Sequence, residues 1–366
     1  MTKSGSTPGN KGVIKWQRQQ WPATLIGASE FRRTQAKRES WMRDVAEVWK
    51  RWCQGEEPGM IIQTSGTTGN SKTVVHSRKA VLASVHDTLL HWNLKPGTRA
   101  VLGLPASFIA GQAMLIRAVE GCWHLTLIKP SSCPSWDGTM DFVALTPHQA
   151  QGWIERGEGE VKTLLLGGGP TSSALLKKLI ESGRIDAIWE GYGLSESLTH
   201  VATRRLSRPS DLQSPFHPLP SATIGTNEHG CAVINVPSRE IENLVTTDCI
   251  EELEEGGFLW LGRSDDVINS GGILIHPNEV ERAFESLMPT WVSDWAAFGR
   301  PDEVLGQAVV MRIFGFPPVD VDLNAQLLTW RENLKSLLGS NKAPRAMEWG
   351  ELPRTERGKL NRRSLQ

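Results

Sequence analysis

Met60-Ile61-Ile62-Gln63-Thr64-Ser65-Gly66-Thr67-Thr68-Gly69-Asn70-Ser71-Lys72 decides how the rest of the chain is read. Met60–Gln63 is a short apolar run of strand length, and a Gly/Ser/Thr loop follows it. Ser77 then caps a helix whose Val81, Val85, Leu89 and Trp92 share one face. Glycines let a backbone approach an anion closely, loop N–H groups can point inward, and the hydroxyls and Lys72 add donors. The loop is not a Walker A motif, because Asn70-Ser71 rather than glycine precedes Lys72. On these residues alone a phosphate cradle and a plain flexible loop both stay open, with the hydroxyls and the lysine favouring the cradle.

Strand and helix signals alternate outward from this segment. Val101–Leu104, Leu125–Ile128, Phe142–Leu145, Leu164–Leu166 and Ile188 read as strands, separated by amphipathic stretches near 111–120, 147–156 and 172–182. That alternation predicts an α/β sheet whose ligand loops gather at the strand carboxyl ends. On the amino-terminal side, Trp41, Val45, Val48, Trp49 and Trp52 form one helical stripe that Ser40 can cap. Residues 1–55 hold eleven Lys/Arg against four Asp/Glu and read as a solvated face or frayed terminus, with 1–20 poorly ordered. After residue 220 the runs become short and β-like (Cys231–Val236, Leu244–Thr247, Phe258–Leu261), and two helices follow, Pro277–Met288 and Leu323–Leu338. The predicted division is a large α/β domain, 1–264, and a small α+β domain, 265–366.

Composition excludes several classes. The 366 residues carry 40 basic and 40 acidic side chains, so nothing marks the chain as a coat for nucleic acid or anionic membrane. No apolar run reaches the ~18 residues of a membrane span. The opening residues lack the apolar core of a secretory signal, and five scattered cysteines without Cys-x-x-Cys fit reduced thiols, so a cytoplasmic protein is expected. Aromatic usage is lopsided: 15 Trp and 9 Phe but one tyrosine, Tyr192, which makes the place of that single phenol worth following.

Tyr192 lies in Gly191-Tyr192-Gly193-Leu194-Ser195-Glu196, directly after a strand ending at Trp189-Glu190. The segment fails both the dinucleotide fingerprint and the hydrolase elbow, since Glu196 and Ser197 stand where each needs glycine. A ring, a hydroxyl and a carboxylate at a strand end suit base stacking, phosphate contact and Mg²⁺ ligation, although on these residues alone a turn with a solvated glutamate is the better reading. Further on come Gly262-Arg263-Ser264-Asp265-Asp266, Ser270-Gly271-Gly272, and a basic tail with Leu352-Pro353-Arg354-Thr355-Glu356-Arg357-Gly358-Lys359. Pro277 followed by acids in a first helical turn is ordinary helix grammar.

The order of these segments is more specific than any one of them. The phosphate-loop segment, GYGLSES, Thr246-Thr247-Asp248, GRSDDVINSGG and LPRTERGK together resemble the adenylate-forming acyl-CoA synthetase superfamily from about residue 60 onward. Within it, Leu104–Gly111, Arg117–Gly121, Gly167-Gly168-Gly169-Pro170 and Ser197-Leu198-Thr199-His200 are most similar to o-succinylbenzoate–CoA ligases of menaquinone biosynthesis, especially short forms.

The resemblance implies an acid–CoA ligase that uses ATP, Mg²⁺ and coenzyme A and passes through an acyl-adenylate. Thr64, Ser65, Gly66, Thr67, Thr68, Gly69 and Lys72 would hold the β- and γ-phosphates. Tyr192 would stack on adenine with Gly168, Glu190 and Gly191 around it, while Asp248 and Arg263 take the ribose. Ser195 would meet the α-phosphate, Glu196 would ligate Mg²⁺, and Lys359 would be the catalytic cation of adenylation. Asp265 matches the hinge about which the C-terminal domain rotates, and Ser270, Gly271 and Gly272 would line the pantetheine tunnel. Arg117, Gly169, Ser197 and His200 are the candidates for the acid.

Two departures stand out: Phe108 replaces a histidine of many relatives, and only about sixty residues precede the phosphate loop, as in a trimmed N-terminal subdomain. A homodimer is a family-level expectation. Ligation of another aryl or medium-chain acid, and an inactive adenylate-binding protein, are the alternatives.

Overall fold

A computed structural model of the protein describes residues 12–35, 39–65, 71–354 and 360–365, with the side chains of Thr64, Ser65, Ser71 and Arg363 outside that description. The chain divides into two compact units, residues 1–225 with 234–244 and 255–257, and residues 226–233 with 245–254 and 258–366.

The first unit opens with β1 (Val13–Trp16) and β2 (Gln19–Pro22), then α1 (Leu25–Thr34) and α2 (Ser40–Cys53). A two-stranded hairpin, β3 (Met60–Ser65) and β4 (Ser71–His76), flanks the phosphate-loop segment and leads into α3 (Arg78–His91). There follow β5 (Arg99–Leu102), α4 (Ile109–Glu120), β6 (His124–Leu127), β7 (Thr139–Leu145), α5 (Pro147–Arg156), β8 (Glu160–Leu166), α6 (Ser173–Glu181), β9 (Ile185–Leu194), β10 (Thr199–Leu206) and β11 (His217–Pro218).

Nine strands form one sheet in the order β11-β10-β9-β8-β7-β5-β6-β1-β2. The run from β9 to β6 is parallel, as expected for strands joined by helical crossovers. Strand order reverses beside β5, whose two neighbours are β6 and β7, so the loops after β5, β7, β8 and β9 leave the same edge of the sheet. Those loops begin at residues 103, 146, 167 and 195, and they hold Phe108, Gly168, Gly169, Ser195, Glu196 and Ser197.

Local signals place the helices as the sequence predicts. The Ser77 hydroxyl accepts from the Ala80 N–H, Thr146 and Gln149 form a reciprocal capping box, and Ser172 accepts from the Leu175 N–H. At α2 the cap moves by one residue. Glu39 is the N-cap, and its carboxylate accepts from Trp41 Nε1 at 3.1 Å and pairs with Lys129 at 2.9 Å instead of capping the backbone.

The basic opening segment differs from the frayed terminus expected of it. Over residues 12–22 it is a β-hairpin whose first strand runs parallel to β6, with Ile14 and Trp21 buried. The charge count concealed a sparse but regular apolar set: Trp21 packs edge-on to Phe31 at 5.0 Å, and Phe31 meets Trp49 at 5.9 Å. The stripe of α2 closes over this cluster. Tryptophan and phenylalanine thus anchor this part of the core.

After the sheet come β12 (Thr223–Thr226), β13 (Cys231–Val236), β14 (Ile241–Glu252) and β15 (Phe258–Arg263), a four-stranded sheet in chain order. The second unit continues with β16 (Ile268–Ser270), β17 (Ile273–Ile275), α7 (Pro277–Glu285), β18 (Val292–Asp302), β19 (Gly306–Gly315), α8 (Leu323–Leu338) and β20 (Ala346–Trp349). Its sheet packs Ile268, Val309 and Met311 against Phe284, Trp330 and Leu334 of the two helices. The large α/β part followed by a smaller α+β part agrees with the fold class expected. All five cysteines are free thiols, and among the described residues no helix is long and apolar enough to cross a membrane.

Candidate active site

The loop after β8 gives its open side to any ligand at the sheet edge. Gly168 has φ of +82°, which a larger residue adopts only with strain, and a Cβ added at Gly167 or Gly169 would meet nothing within 4 Å. The next wall is β9. Tyr192 is buried with its ring 5.8 Å from Phe216, and Glu190 opposes Arg204 across the antiparallel β9–β10 pair. The Glu190 carboxylate is occupied: Oε2 accepts from Arg204 Nε at 2.8 Å and Nη2 at 2.5 Å, and Oε1 accepts from the Thr171 N–H at 3.1 Å. Glu190 therefore offers a ligand its backbone rather than its carboxylate. Gly193 is required by close approach, because a Cβ there would lie 2.0 Å from the Thr199 carbonyl oxygen.

Ser195 and Glu196 sit on the turn from β9 to β10. Leu198 and Thr199 both have positive φ, +55° and +71°, an arrangement that holds only where neighbours enforce it. Two groups do so. Arg239, wholly buried, donates Nη1 to the carbonyls of Ser197, Leu198 and His200 at 3.2, 3.0 and 3.1 Å, and its other nitrogens pair with Asp87 at 3.1 and 2.7 Å. From the other side His76, the last residue of β4, hydrogen-bonds the Ser195 carbonyl through Nε2 at 2.7 Å. Burial depresses the His76 pKa, and the contact fixes the tautomer: Nε2 carries the proton and donates. A cleft of about 330 Å³ opens here, lined by Lys72, His76, Ser77, Glu196, Arg239 and Glu240.

Glu196 fits a Mg²⁺ ligand. Its carboxylate lines that cleft with no hydrogen-bond or ion-pair partner among the described residues. No group of three or more His, Cys, Asp or Glu gathers among the described residues into an all-protein metal cage. A single carboxylate beside the β3–β4 hairpin suits the way proteins hold Mg²⁺, through one or two carboxylates together with substrate phosphates.

The residues proposed for the acid separate into two kinds. The Ser197 hydroxyl is consumed inside the turn: it accepts from the Leu194 N–H at 2.8 Å and faces the Leu194 and Thr199 carbonyls, both at 3.1 Å. It shapes the site and has no donor to spare. Arg117 and His200 are buried, and each leaves a nitrogen unpaired, Arg117 Nε and His200 Nε2. Arg117 Nη2 donates to Thr199 Oγ1 at 2.9 Å, and among the described residues no carboxylate pairs with the guanidinium. Burial, and then the Arg239 charge, pushes the Arg117 pKa down to about 9. Burial and the Arg117 charge likewise hold His200 neutral. His200 stands beside Gly191 of β9, since a Cβ there would lie 3.2 Å from its Cβ. Phe108, at the start of α4, is 37% exposed and carries no polar group to this edge.

In the second unit Asp248 and Arg263 are directly opposed across β14 and β15. Arg263 also donates to Asp265 at 2.9 Å; burial works against its charge, but that bond and the nearby Asp248 and Asp266 raise its pKa overall. Ser270-Gly271-Gly272 is the turn between β16 and β17, where φ of +61° and +84° requires the two glycines. Gly66, Thr67, Thr68, Gly69 and Lys359, and the side chains of Thr64 and Ser65, lie outside the described residues.

Sequence reasoning missed His76, Asp87, Arg204 and Arg239. None of the four lies in a motif, and each meets its partner from another element, so only the strand register and the turn at 237–239 reveal them.

The sequence matches the AMP-binding enzyme family over residues 10–233. The 2-succinylbenzoate–CoA ligase of Bacillus licheniformis is 27% identical over 346 residues, 85% of this chain and 70% of that protein. The ligase of the same name from Staphylococcus aureus is 24% identical over 334 residues, 83% of this chain and 66% of that protein. Among solved structures, an AMP-forming acyl-CoA synthetase/AMP-acid ligase II-like protein from Dyadobacter fermentans is 26% identical, with a TM-score of 0.58 over 93% of this chain and 97% of that one. The fold is also that of o-succinylbenzoate CoA synthetase from Bacillus subtilis in complex with its acyl-adenylate intermediate, at a TM-score of 0.79, 19% identity, and 98% and 96% coverage. The matched span exceeds half of the chain and contains the loops at the carboxyl edge of the sheet, so the chain belongs to the AMP-binding enzyme family, within the superfamily of AMP-forming acid–CoA ligases.

Proposed function

We propose that the protein ligates coenzyme A to 2-succinylbenzoate in menaquinone biosynthesis. The succinyl carboxylate attacks the α-phosphate of ATP and expels pyrophosphate; the coenzyme A thiol then attacks the acyl-adenylate and expels AMP. Thr64 to Lys72 cradle the β- and γ-phosphates, Tyr192 packs on adenine against the open Gly168 loop, and Ser195 meets the α-phosphate. Mg²⁺, when bound through Glu196, neutralises phosphate charge. Asp248 and Arg263 take the ribose, Lys359 stabilises the charge that develops on the α-phosphate, and Asp265 is the hinge that exchanges the adenylation arrangement for one in which Ser270-Gly271-Gly272 faces pantetheine.

The observation that supports this acid over others is that Arg117 Nε and His200 Nε2 are buried without a hydrogen-bond partner among the described residues. A buried guanidinium without an anion is costly, and so is a desolvated carboxylate without donors. An acid bringing a second carboxylate satisfies both at once, whereas a plain aryl or medium-chain acid leaves Arg117 unpaired. Gly169 leaves room along the approach.

Arg117→Met tests this. Loss of one charge-assisted carboxylate contact is expected to raise the KM for 2-succinylbenzoate about 10- to 100-fold in ATP–pyrophosphate exchange. The same acid without its ring carboxylate, 4-oxo-4-phenylbutanoate, is expected to be used equally by both proteins. An equal loss on both acids would remove Arg117 from recognition of the second carboxylate.

A further inference from the structure

We infer that Arg204 is the positioning residue of the adenine slot, holding both of its walls through one guanidinium. Nothing in the nucleotide motifs contains it. It lies on β10 directly opposite Glu190, so strand register alone brings it to the site. Its side chain is 13% exposed and that of Glu190 is 5% exposed, which makes this a nearly dry ion pair. A guanidinium so placed must satisfy its donors locally, and it does: Nε and Nη2 go to Glu190 Oε2 at 2.8 and 2.5 Å, and Nη1 goes to the carbonyls of Leu212 and Ser214 at 2.5 and 3.1 Å.

Each bond set fixes a different wall. Glu190 passes the constraint to the Gly168 loop, because its other oxygen accepts from the Thr171 N–H at 3.1 Å. The Leu212 and Ser214 contacts pin the segment leading to Phe216, and the guanidinium lies over the Phe216 ring at 4.3 Å. Phe216 in turn backs Tyr192, with ring centroids 5.8 Å apart at 50°. Removing the planar cation therefore frees the backing of Tyr192 and the loop that faces it together. Lysine does not replace it, since an ammonium has neither the fork that spans carboxylate and carbonyls nor a face to stack.

This role rests on the reading that Tyr192 meets adenine, and the test separates the two. Tyr192 is the only tyrosine in the chain, so protein made with ring-labelled tyrosine gives NMR signals from that residue alone. In the wild type, ATP is expected to shift those signals; if they do not move, the adenine reading falls and this role falls with it. Two variants are then compared. R204K keeps a charge for Glu190, and R204M/E190Q removes the buried charge while keeping an acceptor for Thr171, so that one folded protein is obtained even where the other unfolds. In either, the KM for ATP is expected to rise about tenfold, the scale of one lost cation–π and hydrogen-bond set, with kcat and the KM for the acid within about twofold. The free-state Tyr192 signals are expected to broaden or move. A general structural defect would instead lower kcat and weaken both substrates alike. Unchanged ATP KM and unchanged Tyr192 signals in the folded variants would overturn the proposal.

Discussion

Lys359→Ala is expected to slow adenylate formation by about 10²–10³ while leaving thioester formation from preformed acyl-adenylate nearly intact, the scale for losing one preorganised donor at a developing oxyanion. The asymmetry follows from the chemistry. Charge accumulates on the α-phosphate oxygens when a carboxylate attacks and pyrophosphate departs, and a fixed cation stabilises that change. In the second half-reaction the leaving group is AMP, and the charge that develops is on the carbonyl carbon's substituents. Residues on either side of Lys359 are anchored: Arg354 and Leu360 form a bridge, and Arg362 pairs with Glu281 at 2.6 Å and donates to the Ala297 carbonyl at 2.6 Å. Single-turnover assays of each half-reaction decide the matter, and equal losses in both would contradict the role.

The second large effect lies far from any motif. Arg239→Met is expected to cost about 3–5 kcal/mol of unfolding free energy, the range for breaking a buried ion pair from one side. Among the described residues the loss leaves Asp87 the Ser221 hydroxyl at 2.7 Å, and it strips three carbonyls of the turn after Glu196 of their shared donor. Urea denaturation of the variant measures it. Asp87→Ala in the Arg239→Met background is expected to add little further loss, because the stranded carboxylate is then gone; full additivity of the two substitutions would show that they act independently. Variant protein that still folds is expected to need more Mg²⁺ for half-maximal exchange, since the left-handed turn that aims Glu196 is held by this guanidinium.

The fold was largely legible because its decisive signals are local. Ser77 caps its helix as its position suggests, and the apolar runs that read as strands pair in a parallel sheet with the loops of residues 167–169 and 195–197 at one edge. The amino-terminal hairpin was not legible, since Ile14 and Trp21 are isolated apolar residues in a basic segment and their burial depends on pairing with β6. The site divides the same way. Gly168 and Glu196 lie just after β8 and β9 as their motifs suggest, whereas β9 runs on through Tyr192 to Leu194, past the strand end read at Trp189-Glu190, because its pairing with β10 continues that far. Glu190 and Ser197 sit where the motifs put them, yet their side chains are bound to Arg204 and to the turn, because a polar group in a dry site takes the nearest partner. The partners that hold the loops, His76, Arg204 and Arg239, are visible only once distant segments meet.

Acid-dependent ATP–pyrophosphate exchange by the wild-type protein tests the central claim most directly, followed by AMP release when coenzyme A is added. With 2-succinylbenzoate both signals are expected, well above those with benzoate, succinate or 4-oxo-4-phenylbutanoate. Exchange that prefers a monocarboxylic acid would contradict the assignment of substrate, and the absence of exchange with every acid tried would contradict the proposed ligase.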